Sequence, residues 1–97
     1  MIRKILLMKI TEQGAKDIKA APQRIEQAIA TFEKMGGKIL GFYFVTGEYD
    51  YISIGEAPNN DVAMAFTMGL SALGNVKTHT IEAFTKDEFA AMVKRLP

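Results

Sequence analysis

Cysteine and tryptophan are absent from this 97-residue chain, and histidine occurs once. Without cysteine there is no disulfide framework, no thiolate metal site and no thiol nucleophile. Zinc usually draws on several His or Cys ligands, so His79 alone offers no metal site within one subunit. An excess of charge is missing too: 12 Lys+Arg against 11 Asp+Glu leave +1. That balance provides neither a basic footprint for nucleic acid nor an acidic tail. The longest apolar run, Ile5-Leu6-Leu7-Met8, is far short of a membrane span or a signal-peptide core. The expected setting is therefore cytoplasmic, with no cofactor, metal, nucleic acid or membrane involved. Little remains from which to build an enzyme; catalysis stays open, and binding is the favoured reading.

What is present is hydrophobic: 48% of the residues, enough for one core in one domain spanning 1–97. Met1–Ile10 reads as a strand, with Ile2, Leu6, Met8 and Ile10 on one side and Ile5 and Leu7 on the other. Thr11–Ala21 is polar and reads as a loop holding about one helical turn. Pro22 suits the first position of a helix, and Ile25, Ala28, Ile29 and Phe32 form its apolar stripe. Gly36-Gly37 ends it. Lys38–Thr46 and Tyr49–Ala57 are β-rich runs joined through Gly47-Glu48, a hairpin signature. A two-residue turn would put Phe44 on the same side as Tyr51, and a three-residue loop would align it with Ile52. Asn59, Asn60 and Asp61 start a second helix with a stripe of Val62, Phe66, Gly69, Leu70 and Leu73, stopped by Gly74-Asn75. Val76–Phe84 is the fourth strand, and Thr85 and Glu88 have capping-box spacing before a last helix.

The order β-α-β-β-α-β-α predicts an α+β, ferredoxin-like βαββαβ fold: a four-stranded antiparallel sheet, two helices on one face, and a C-terminal helix. A soluble monomer would need a polar second face, but the first three strands are apolar on both sides. Strand two opposes Phe42 and Phe44 with Ile39, Tyr43 and Val45; strand three opposes Ile52 and Ile54 with Tyr49, Tyr51 and Ser53. The last helix or a second subunit's sheet must cover that surface. The expectation is a homodimer, or a multiple of dimers, with sheets packed face to face.

The run Val45-Thr46-Gly47-Glu48-Tyr49-Asp50, with Ile54 and Glu56-Ala57-Pro58, resembles the signature of the GYD-domain family. Thr11, Gly14, Ile18, Lys19, Pro22 and Arg24 resemble its first loop. Met35–Lys38, Leu73–Val76, Thr78 and Ala83-Phe84 extend the likeness over essentially the whole chain. The resemblance implies a member of the dimeric α/β-barrel superfamily whose biochemical role is not established. A looser likeness links Val45–Tyr51 and Gly74–Thr80 to the amino-acid-binding domain of leucine-responsive transcription regulators. There, the hairpin region lies near a small-molecule site between subunits. No DNA-binding helix-turn-helix segment accompanies it here, so only the sensing half of that analogy applies.

Together these point to a ligand site around the 45–51 hairpin and the subunit interface, drawing on Tyr43, Gly47, Tyr49, Asp50, Tyr51 and Ser53. Gly47 supplies a positive φ for a tight turn. Asp50 either caps backbone N–H groups of that turn or, with Tyr49, grips a ligand amine or hydroxyl. The aromatic residues either fill an interface or, with Ser53, line a small apolar cavity. His79 is the weak catalytic candidate, as a general base near neutral pH. Met64 and Met68 lie off the second helix's stripe and suit an oligomer contact. The leading reading is a homo-oligomeric metabolite-binding or sensing module. Its rivals are a cofactor-free enzyme like the small α/β-barrel monooxygenases and isomerases, using His79, Tyr49 and Asp50, and a purely structural oligomerisation domain.

Overall fold

The computed structural model describes all residues 1–97. It is α+β and ferredoxin-like: β1 (Ile2–Ile10), α1 (Glu12–Lys16), a short 3-10 turn (Ile18–Ala20), α2 (Ala21–Lys34), β2 (Lys38–Phe44), β3 (Tyr51–Ala57), α3 (Asn60–Leu73), β4 (Val76–Glu82) and α4 (Lys86–Val93). The four strands form one antiparallel sheet in the order β2-β3-β1-β4.

The expected helix boundaries hold, and each has a local cause. Asn59 accepts a hydrogen bond from the Val62 N–H and starts α3, while Gly74, at φ 80°, ends it in the left-handed conformation. Thr85 and Glu88 close a reciprocal capping box on α4. Helix α2 begins at Ala21, one residue before Pro22. The polar segment after β1 holds more helix than one turn, and it is tied down. Thr11 bonds to Gly74 and Asn75, and Gln13 to Leu73 and Asn75. Gly14 is required there, because a Cβ at that position would collide with the Asn75 carbonyl oxygen.

The hairpin register is the one that a two-residue turn predicts, Phe44 opposite Tyr51, although the strands end earlier and residues 45–50 form a loop. One expectation fails in β2. A bulge at Leu40 inserts an extra residue between Ile39 and Gly41. It turns Ile39 onto the helix side with Phe42, away from Tyr43, where it packs against the core of Phe32, Ala57 and Ala63.

Buried residues are few: nine of 97. The surface is 6739 Å², against about 5,500 Å² for a folded monomer of 10.7 kDa. The radius of gyration, 14.8 Å, likewise exceeds the roughly 12.5 Å of a typical domain of this length. Two features account for the excess. Helix α4 does not cover the sheet, and its Phe89, Met92 and Val93 are exposed. Helices α2 and α3 meet where the Phe32 and Phe66 rings lie 4.7 Å apart, and elsewhere they leave a cleft between them over the sheet.

Candidate functional site

Strand pairing assigns every sheet residue to a face. The helix side carries Leu6, Met8 and Ile10 of β1, Tyr51 and Ser53 of β3, and Ile39 and Phe42 of β2. The helix-free side carries Ile5, Leu7, Ile52, Ile54, Tyr43, His79 and Ile81.

On the helix side lies a cleft of about 530 Å³, floored by the sheet and walled by α2 and α3. Its volume falls within the range of small-molecule sites. Its helix walls combine the small residues Ala21 and Ala28 of α2 and Ala65 and Gly69 of α3 with the larger Ile25, Phe66 and Leu70. A Cβ built on Gly69 would meet nothing within 4 Å. Across the floor the Tyr51 ring lies 5.3 Å from that of Phe42. Tyr51 and Ser53 are each only 7% exposed. No polar side-chain atom is sealed off without a partner, and neither hydroxyl bonds to another group of the chain, so both open onto the cleft. Arg24 is the one charged residue on the lining. Its guanidinium is already engaged, donating to the Asp17 and Gly14 carbonyls and lying 3.5 Å from the Asp17 carboxylate.

The helix-free side is an open apolar surface. Tyr43 is 59% exposed and Ile81 is 43% exposed. One end is bounded by Arg3, bridging Glu56 at 3.0 Å and Glu88 at 3.3 Å. Glu88 titrates below the ordinary carboxylate value, chiefly because it accepts hydrogen bonds from Thr85 and secondarily because of Arg3. At the other end Lys9 stands directly opposite Lys77. There the Tyr49 ring lies edge-on to His79, with centroids 6.4 Å apart, and the Lys9 ammonium sits 5.8 Å above the Tyr49 ring.

The six residues expected to form one site are therefore divided. Tyr51 and Ser53 face the cleft, whereas Tyr43 and Tyr49 belong to the helix-free side. The loop at 45–50 separates Tyr49 from Tyr51, which strict alternation had placed together. Asp50 accepts a hydrogen bond from the Ile10 N–H at 2.8 Å, while its own N–H donates to the Met8 carbonyl. It locks the hairpin onto the end of β1. Gly47 takes a φ of 113° in the exposed loop and does not line the cleft. Sequence reasoning missed the helix walls of the cleft: Ala28 and Gly69 read as ordinary stripe positions, Ala65 was not singled out, and no sequence signal gives the distance between the two helices.

The GYD domain model matches residues 5–93. A Thermus thermophilus protein named "Glutamine synthetase and cystathionine beta-lyase binding protein" is 30% identical over 91 residues, 93% of this chain and 96% of that one. Among solved structures, MtbAldR superposes with a TM-score of 0.66 at 16% identity; the match takes in 88% of this chain and about half, 52%, of that one. FFRP-DM1 gives 0.60 at 22% identity over 87% of this chain and all of its own. A crystal structure of a Thermus thermophilus protein gives 0.53 at 21% identity, covering 88% of this chain and 95% of its own. These structural likenesses establish a shared fold. No helix is long and apolar enough to cross a membrane.

Proposed function

This chain belongs to the GYD-domain family, and from that premise we propose that it is a homo-oligomeric binding module. In this reading it self-associates through its helix-free sheet face and holds a small metabolite between the helices and the sheet. The observation that carries the binding half is the 530 Å³ apolar cleft with two buried hydroxyls open to it. The observation behind self-association is the surface, about 1,200 Å² larger than a monomer of this mass exposes. A standard interface buries about 800 Å² per partner. Ile5, Leu7, Ile52 and Ile54 can pack against their own copies, as a two-fold interface requires. A cysteine-free chain without a membrane-spanning helix suits a cytoplasmic setting.

A second reading, docking onto another protein, draws support from the 30% identical relative, whose name describes binding to two enzymes. The helix-free face and the exposed side of α4 would then serve that partner. The enzyme alternative has less behind it, because Asp50 is committed to the Ile10 amide and does not share a pocket with Tyr51 and Ser53. Light scattering at micromolar concentration, with a thermal-shift screen of a metabolite panel, tests the leading reading. A ligand of the native state must raise its melting temperature. A monomeric chain that no metabolite stabilises would refute it.

A further inference from the structure

The binding reading leaves the kind of ligand open, and the chemistry of the cleft narrows it. An amino acid needs a carboxylate partner for its ammonium group and cationic or N–H donors for its carboxylate. The cleft offers no carboxylate and no uncommitted cation, and its side-chain N–H donors beyond Arg24 are the Gln27 and Asn75 amides alone. It contains no acidic residue, and Arg24, its one cation, already serves the Asp17 and Gly14 carbonyls. Asp50, the acidic residue that the hairpin pattern put forward for an amine, has its carboxylate on the Ile10 N–H. A buried charge without a partner is costly, so a zwitterion would lose more hydration than this site returns. What the cleft does return is contact with apolar side chains, among them Leu6, Met8, Phe42, Phe66 and Leu70.

Besides Arg24, the lining carries the polar tips of Gln27, Thr31, Tyr51, Ser53 and Asn75, and of these residues only Tyr51 and Ser53, on the sheet floor, are buried. Both residues are more than nine-tenths buried, both lie on β3 two positions apart and so on one face, and neither hydroxyl has a partner in the chain. Buried hydroxyls normally find hydrogen bonds. Two hydroxyls presented to the cleft from one face of β3 can donate to, or accept from, the polar group of a bound molecule. Resting on the binding reading above, we infer that the cleft takes an uncharged, predominantly apolar molecule carrying one hydroxyl or carbonyl group. The polar group is held by Tyr51 and Ser53, and the apolar body lies between α2 and α3. The ligand class thus departs from the amino acids that the regulator likeness suggests.

The test uses the full chain with hexanol, octanol and decanol as neutral probes, octanoate as their charged counterpart, and L-leucine and L-phenylalanine as zwitterions. Methyl-labelled methionine spectra report occupancy through Met8 and Met35, both on the cleft lining. Met64 and Met68, exposed on α3, act as references. The expected result is saturable shifts at Met8 and Met35 with the alkanols, weaker binding of octanoate and none of the amino acids. Tyr51→Phe and Ser53→Ala should each weaken octanol binding about threefold to tenfold, the worth of one hydrogen bond. Filling the space with Gly69→Leu should abolish binding while the fold is retained. If leucine bound at Met8 and Met35 more tightly than octanol, or if Tyr51→Phe and Ser53→Ala left octanol binding unchanged, the inferred class would be wrong and the binding reading would stand. If neither the alkanols nor any member of the metabolite panel bound, the binding reading itself would fall.

Discussion

Leu7 lies on the central strand β1, on the helix-free face, between Ile52 of β3 and His79 of β4. In an isolated chain Leu7 is half-buried on the helix-free face, so Leu7→Asp would cost about 1 kcal/mol, chiefly in strand propensity. In a two-fold sheet-to-sheet dimer the same change strikes twice. Losing a buried leucine costs about 1.5–3 kcal/mol, and desolvating an unpaired carboxylate adds to it. A total of about 3 kcal/mol per copy gives about 6 kcal/mol per dimer, a roughly 10⁴-fold rise in the dissociation constant. Sedimentation equilibrium at micromolar concentration should then show twice the 10.7 kDa chain mass for the wild type and a single chain for the variant. Far-UV circular dichroism should stay unchanged. Ile81→Glu, on the edge strand β4, should weaken the dimer less, and Gln23→Asp on the exposed side of α2 should leave it intact. A wild type of 10.7 kDa at these concentrations, or a Leu7→Asp dimer as tight as the wild type, would refute the reasoning.

Gly69→Ala should raise stability by about 0.5–1 kcal/mol, measured by urea denaturation, because the residue is inside α3 and its new methyl group meets nothing within 4 Å. Asp50→Ala should lower stability by about 1–3 kcal/mol by orphaning the Ile10 N–H. Asp50→Asn, which keeps an acceptor oxygen, should cost less than about 1 kcal/mol, and the same denaturation curves check both. The Glu88 carboxyl titrates below its ordinary value in the folded chain, first through its hydrogen bonds from Thr85. The unfolded chain therefore takes up that proton first as pH falls. The stabilisation is present above the ordinary carboxylate value and is lost as pH drops through the lower folded one. Thermal melts of Glu88→Gln should consequently converge on the wild type at acid pH and diverge from it at neutrality.

The element order, the helix stops at Gly36 and Gly74 and the Thr85–Glu88 capping box were legible in the sequence because short-range chemistry determines them. So was the two-sided apolar character of β1 and β3. The family likeness belongs with these, since it rests on contiguous runs such as Val45–Asp50. The hairpin register, by contrast, stayed open between a two-residue turn and a three-residue loop until strand pairing set Phe44 opposite Tyr51. Which residues share a site was not legible in the same way. The bulge at Leu40 moves Ile39 to the opposite face from Tyr43, and the 45–50 loop parts Tyr49 from Tyr51. A one-residue slip of this kind reverses a side chain's face, and alternation alone does not locate it. Asp50 could be read as a cap for its own turn or as a ligand-binding group, and its carboxylate instead accepts from the Ile10 N–H, forty positions away in the chain. The cleft depends on the distance between α2 and α3, which no local pattern encodes. Periodicity and capping thus determined the elements and their apolar faces. Only the tertiary structure decided that Tyr51 and Ser53 share an open cleft while Tyr43, Tyr49 and His79 look the other way, because that division follows from long-range strand pairing and helix separation.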